Sequence, residues 1–468
     1  MDFINSILGT MNDILYTYIL IAALIIVGSY FTFRTKFMQF RMLPEALRVL
    51  TAKKQDDTGV SSFQALMIST ASRVGTGNIA GVATAIATGG PGAIFWMWLL
   101  ALIGGASAFI ESTLAQIYKV RDKKTNEYLG GPAYYIEIAM GKRWLGIVFA
   151  VLLIACFAIG FNSLQSFNIV SAFAYYETAS VSAKTIAIIM GVVLAAATAL
   201  VIFGGVHRIG FISSVIVPIM ACLYILMGIV IVCMNLSEMP AIFSEVFASA
   251  FDFKAVFGGF TGSCVMMGIK RGLFSNEAGM GSAANAAAAA SVSHPVKQGL
   301  VQTLSVFLDT LVICTTTGMI LLCYSTAPAE TGMPLVQAAV ASRFGEMGIH
   351  FVTISVLLFA FTSVIGNYSY AESNIRFIKD DPKVLTIFRV CCVAVVFAGA
   401  LSTFDFVWNL SDVLMGFMAI VNIIAMIFLG NKAVIALDDY CAQKKEGKDP
   451  VFSPKKLGID KTSCWDEE

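Results

Sequence analysis

Apolar runs of twenty residues or more recur along nearly the whole chain, and no other feature restricts its fold as strongly. A helix needs ~20 apolar residues to cross the hydrocarbon of a bilayer. Once inside, each backbone polar group must be satisfied within a helix or a closed barrel. Eleven such runs are legible, near 13–33, 61–88, 92–118, 143–174, 184–204, 209–234, 255–289, 298–324, 346–379, 384–402 and 406–430. The expected fold class is an all-α polytopic membrane protein with eleven transmembrane helices. Charged residues make up only 13% of the chain and the mean hydropathy is +0.80, where a soluble domain carries ~25% charge.

The connections set the orientation, because Lys and Arg concentrate on the cytoplasmic side. One side collects 25 of the 31 basic residues, in 34–54, 119–143, Arg208, Lys297, 376–389 and everything from Lys432 onward. The other side holds Lys184, Lys254 and Arg343, while Arg73, Lys270 and Arg271 fall inside spans. A multi-pass protein of the cell membrane is expected, with its N-terminus outside and its C-terminus cytoplasmic. Residues 1–34 form an extra N-terminal span that lacks the marks of a cleaved signal peptide. Residues 35–60 form a cytoplasmic interfacial segment, with 34–50 reading as one inner interfacial helix that carries Arg41 and Arg48. The loop 236–254 is amphipathic, and the polar stretch 431–468 reads as a flexible cytoplasmic tail.

The remaining composition mostly excludes. The near-balance of 31 basic against 30 acidic residues gives no reason to expect nucleic acid. Cys156, Cys222, Cys233, Cys314, Cys323, Cys391 and Cys392 lie in apolar runs and are expected to pack between helices. His207, His294 and His350 sit at span ends or in loops and offer no relay or metal site. No phosphate-binding loop and no HExxH occur. The GTGNIA of 75–80 fits a dinucleotide fingerprint only formally, since no strand precedes it. Neither an enzyme nor a bound cofactor is expected.

Two spans are interrupted in matching places. The first carries Arg73, Gly75, Gly77 and Asn78; the second carries Arg271, Gly272 and Asn276. With the first span set aside, ten remain, and they divide as five (61–235) and five (255–430). An odd number per half makes the halves enter the membrane from opposite sides, the mark of inverted repeats whose broken helices meet at a midplane site. Unwound backbone frees N–H groups for a carboxylate and C=O groups for Na⁺. A charge at this depth is costly and usually paired, so Arg73 is expected to pair with Glu111, Glu277, Asp309 or Glu372. Lys270 and Arg271 are expected to pair with Glu277 or Asp309.

The stretches VGTGNIAGVATAIATGGPGAIFWMW (74–98), GGPAYYI (130–136), GIKRGLFSNEAGMGSAANAAA (268–288) and AFTSVIGNYSYAE (360–372) are similar to the alanine or glycine:cation symporters, also called sodium:alanine symporters. The resemblance covers residues 10–435. It implies the leucine transporter fold (LeuT fold), ten core helices in a 5+5 inverted repeat. By that resemblance the amides of Thr76 and Gly77 face the substrate carboxylate and Asn78 lines the site. The carbonyls of Ala71, Val74 and Phe359 and the hydroxyls of Thr362 and Ser363 would hold Na⁺, whose preference for oxygen suits them.

Asn162 and Gln165 are amides in an apolar span and need partners. The resemblance makes Gln165 a substrate contact, with Asn162 second, and lets Phe274, Ser275 and Asn276 close the pocket. Many proteins resembling this family carry Trp after the glycine of the eighth core span, where this chain has Asn367 after Gly366. A roomier, more polar pocket follows, and glutamine or asparagine joins alanine and glycine as a candidate substrate. The expected function is Na⁺-coupled import of a small neutral amino acid by alternating access. Proton coupling is the alternative, and a channel or a membrane enzyme fits the motifs less well. Partners are the amino acid, Na⁺ and the lipid bilayer, with no protein partner implied.

Overall fold

A computed structural model describes residues 2–52, 54, 59–122, 126–252, 263–324, 331–465. Within these, the only strands pair Val120–Arg121 with Tyr128–Leu129, and nearly everything else is helix. Nine helices among the described residues are long and apolar enough to cross a membrane. They follow the expected runs closely, from Phe3–Arg34 at the start to Phe404–Lys445 at the end. Side chains such as Ile26, Leu200, Phe211 and Ile427 are exposed on the outside of the bundle, as they are where the surrounding solvent is lipid. The chain is thus an all-α polytopic membrane protein.

The two interrupted runs do not form continuous helices. The first is helical over Ser62–Arg73, opens at Val74, and resumes at Gly77–Gly81 and Val82–Gly89. Ser61 caps its start in a reciprocal capping box with Gln64, which satisfies two orphan amide groups at once. The second is helical over Cys264–Asn276, so Arg271, Gly272 and Asn276, expected at the interruption, lie within the helix; the chain turns only at Glu277, in the left-handed region, and resumes at Ala283–Ala288. Gly279 and Gly281, both at positive φ, carry the chain through that turn. The expected start of this run, 255–262, lies outside the described residues.

Three expectations are corrected here. The interfacial segment folds as two short helices, Met38–Arg41 and Leu43–Leu50, because Pro44 begins a new helix. The stretch 431–468 is not a loose tail: the last helix runs on to Lys445, and residues to Trp465 fold back beneath the bundle. Phe452 and Ile459, spaced among polar residues, are buried there. Among the cysteines, Cys222, Cys233 and Cys391 face outward and only the other four of those seven are buried. A small apolar side chain costs nothing against lipid, so hydropathy alone could not sort them. A further kink, at Gly345 within Met333–Ile378, was not foreseen.

Candidate functional site

The ladder of the first broken helix ends where the amide of Val74 donates to Thr70 O at 2.7 Å. Beyond it, the Gly75 amide donates to Asn78 Oδ1 at 3.1 Å and the Thr76 amide to Gln165 Oε1 at 3.0 Å. With Gly75 N–H diverted, the Ala71 carbonyl loses its usual donor four residues on. The break is therefore held open by two side-chain amides rather than closed by its own backbone. Glycine is required here: a Cβ on Gly75 would lie 2.3 Å from Ser363 Oγ, and one on Gly77 2.5 Å from the Phe274 ring.

The expected cation ligands converge. The one hydrogen of Ser363 Oγ faces both Phe359 O at 3.0 Å, within its own helix, and Val74 O at 3.3 Å, and Thr362 Oγ1 donates to Phe359 O at 2.9 Å. All four residues are fully buried, as is Ala71. Two carbonyls and two hydroxyls thus meet beside the break, a set of hard oxygens that fits Na⁺.

The expected substrate residues surround the same break. Phe274 covers Gly77 and packs on Phe161 and Trp408 at centroid distances of 4.5 and 5.3 Å. Asn78 Nδ2 donates to Ser275 Oγ at 2.9 Å and to Asp309 Oδ1 at 2.7 Å, and Ser275 Oγ donates to Asp309 Oδ2 at 2.5 Å. Asn162 and Asn367 pair with each other at 3.0 Å. Asn276 stands apart: it bonds Thr310 and accepts the Ala278 amide, so it secures its own turn.

Sequence reasoning missed what holds the second break and its cations. Glu111 accepts the Gly281 amide at 3.0 Å, the Gly279 amide at 3.4 Å and Asn422 Nδ2 at 2.7 Å. Glu277 accepts from Ser282 at 2.6 Å, and Ser72 Oγ, whose one hydrogen faces both Asn367 Oδ1 at 2.7 Å and Glu277 Oε1 at 3.1 Å, ties the second break to the first. Lys270 and Arg271 do not pair with Glu277 or Asp309. Both bind Asp412, Arg271 through two hydrogen bonds at 2.8 and 3.1 Å and Lys270 at 2.8 Å. The available signal was that Asp412 is the lone acid in the apolar run 406–430.

Arg73 is buried, and none of its three guanidinium nitrogens has a hydrogen-bond partner among the described residues. It sits within coulombic range of Glu111, Glu277 and Asp309. Glu372, the fourth candidate partner, is instead committed to Arg376 at 2.7 Å and Arg389 at 3.6 Å. Two of the histidines have aromatic or acidic neighbours of their own: His350 stacks on Tyr176 and His294 meets Asp439 at 3.2 Å.

Residues 1–454 match the model of the sodium:alanine symporter family. The chain is 46% identical over 470 residues to the amino-acid carrier protein AlsT of Bacillus subtilis (strain 168), covering 100% of this chain and 99% of that protein. It is 47% identical over 471 residues to the "Probable sodium/glutamine symporter GlnT" of the same organism, covering 99% and 96%. Among solved structures it is similar to MhsT in complex with L-phenylalanine, with a TM-score of 0.54, 14% identity, and coverage of 82% of this chain and 96% of that one.

Proposed function

The chain belongs to the sodium:alanine symporter family, and on that premise we propose that it imports a small neutral amino acid together with Na⁺. It is a transporter of that family rather than an enzyme, and Na⁺ is its coupling ion. The observation that carries the site assignment is the meeting of Val74 O, Phe359 O, Thr362 Oγ1 and Ser363 Oγ at the first break. Na⁺ binds there, with the Ala71 carbonyl as fifth ligand. The substrate carboxylate takes the amides of Thr76 and Gly77, displacing Gln165 Oε1 from the former. Gln165 then turns its amide to the substrate, and Asn78, Ser275 and Phe274 enclose it. Asn276 contributes through the second break.

Coupling follows from shared ligands. Val74 O belongs to the first broken helix, while Phe359, Thr362 and Ser363 belong to the helix Met333–Ile378. A cation between them joins elements that must separate when the site opens, so it shifts the population toward one conformation. We take the two broken helices, with the nine long apolar ones among the described residues, as eleven spans: one N-terminal helix and two inverted sets of five. The basic connections place the C-terminus in the cytoplasm. The side chain of the substrate ranges over alanine, glycine, glutamine and asparagine at this level.

The deciding experiment is uptake into liposomes by the purified chain. Labelled alanine or glutamine should accumulate with an inward Na⁺ gradient and not with K⁺ alone. Uptake indifferent to Na⁺ but driven by a pH gradient would favour the second reading, proton coupling. Its motivation is that three buried carboxylates, Glu111, Glu277 and Asp309, lie within coulombic range of the buried cation Arg73. Uptake indifferent to both gradients would end the symport reading.

A further inference from the structure

Asn162 and Asn367 are fully buried amides on facing helices, and Asn367 Nδ2 donates to Asn162 Oδ1 at 3.0 Å. The other end of Asn367 is occupied too, since Ser72 Oγ lies 2.7 Å from its Oδ1. Asn162 has no such balance. Its Nδ2 has no hydrogen-bond partner among the described residues. Buried polar groups are nearly always satisfied, and an unshared buried donor costs ~1–3 kcal/mol. Beside the proposed binding site, such a donor is free to meet a ligand acceptor.

Its position agrees. Asn162 precedes Gln165 by three residues on the helix Asn162–Phe173, and Gln165 touches the Thr76 amide. Asn367 follows Ser363 by four, and Ser363 touches the Val74 carbonyl. Residues three or four apart share a helix face about one turn, ~5 Å, along the axis. The amide pair therefore lies one turn from the backbone of the first break, on the two helices that flank it. A carboxamide side chain is long enough to reach that turn from a carboxylate held at the break, and a methyl group is not.

We propose that the Asn162–Asn367 pair reads the substrate side chain, with Asn162 Nδ2 donating to a carboxamide oxygen, so that the transported amino acid is glutamine or asparagine rather than alanine or glycine. The inference rests on the carboxylate lying at the first break, as proposed above. Ser72, which holds Asn367, also lies 3.1 Å from Glu277 Oε1. A neutral amide is favoured there over an acidic side chain, whose charge Glu277 would repel.

The test uses the full-length protein in liposomes with an inward Na⁺ gradient. Labelled glutamine and labelled alanine are each competed with unlabelled glutamine, asparagine, alanine, glycine and leucine, the last being bulky but without an acceptor. Glutamine and asparagine should compete at concentrations at least about tenfold lower than leucine or alanine, since a buried donor rejects an analogue that leaves it unpaired. Alanine or glycine competing as well as glutamine, or labelled alanine entering while glutamine does not, overturns the inference and leaves symport standing. No Na⁺-driven uptake of either label removes the symport reading, and this inference with it. In Asn162→Leu and Asn367→Leu the preference for glutamine over alanine should fall at least about tenfold, whatever the absolute rates. An unchanged preference overturns the inference, and the wild-type series decides the matter where a variant does not fold.

Discussion

Arg73 brings a charge into the bundle with no hydrogen bond to it among the described residues, whereas Arg271 and Lys270 share a single carboxylate, Asp412. These are two ways of keeping a buried charge. Around Arg73 the balance comes from proximity to three acids, each held by hydroxyl, amide or backbone donors of its own. At Asp412 it comes from contact, with the Arg271 guanidinium also lying 4.2 Å over the Trp408 ring, a favourable cation–π geometry. Removing one member of a contact pair leaves a bare charge and costs ~3–5 kcal/mol. Asp412→Asn should therefore lower the melting temperature in detergent markedly; a melt like that of the unaltered protein would show that the triad contributes little. For the cation site, Thr362→Ala combined with Ser363→Ala removes two of five oxygens. The Na⁺ concentration for half-maximal uptake should rise at least about tenfold, from the loss of two contacts worth ~1 kcal/mol each. An unchanged Na⁺ dependence would move the ion elsewhere.

The broken helices were the most legible elements, and the reason is local. The glycines are the local signal, since Gly75, Gly77, Gly279 and Gly281 all sit where a side chain or a negative φ would fail, whereas Arg271, Gly272 and Asn276 lie inside the helix Cys264–Asn276. The hydroxyl pair of the cation site could be placed through the resemblance for the same reason, since its members are adjacent in sequence. Glu111 and Asp412 were not legible in their roles because each acts on a helix far away in the chain, where no local pattern points. The glycines give a graded prediction. A Cβ at Gly77 would meet the Phe274 ring at 2.5 Å, while at Gly81 its nearest neighbour is Trp408 at 3.5 Å, ordinary contact. Gly77→Ala should abolish Na⁺-driven uptake, and Gly81→Ala should retain most of it. Equal loss in both would mean that Gly81 serves close helix packing rather than merely continuing the helix.

At the scale of the whole molecule, the bundle is closed on one face by its own C-terminal strap, which the polar sequence concealed. The Phe452 amide donates to Ser293 O at 3.0 Å, Trp465 Nε1 donates to Gln116 O at 3.0 Å, and Lys297 pairs with Asp449 at 2.8 Å. Phe452 also packs on the His294 and Trp465 rings. Three apolar anchors in a strap of mixed and largely polar sequence are too few for hydropathy to register, yet burying Phe452 and Ile459 is worth ~1.5–3 kcal/mol each. His294 lies at the centre of this contact, capping the helix Pro295–Phe307. Burial pushes its imidazole below the ordinary value of 6.5, while the hydrogen bond and charge of Asp439 oppose that. A base whose folded pKa is depressed favours the folded state while neutral. Its contribution is complete above pH ~6.5 and declines as pH falls below that value, because the unfolded form takes up the proton more readily. The strap should therefore loosen on acidification from pH 7.5 to 5.5. Hydrogen exchange across 447–465, corrected for its intrinsic pH dependence, should accelerate over that interval, and His294→Phe should flatten the change. Exchange in the unaltered protein that holds constant from pH 7.5 to 5.5 would mean that the strap is held by its apolar anchors and ion pairs alone.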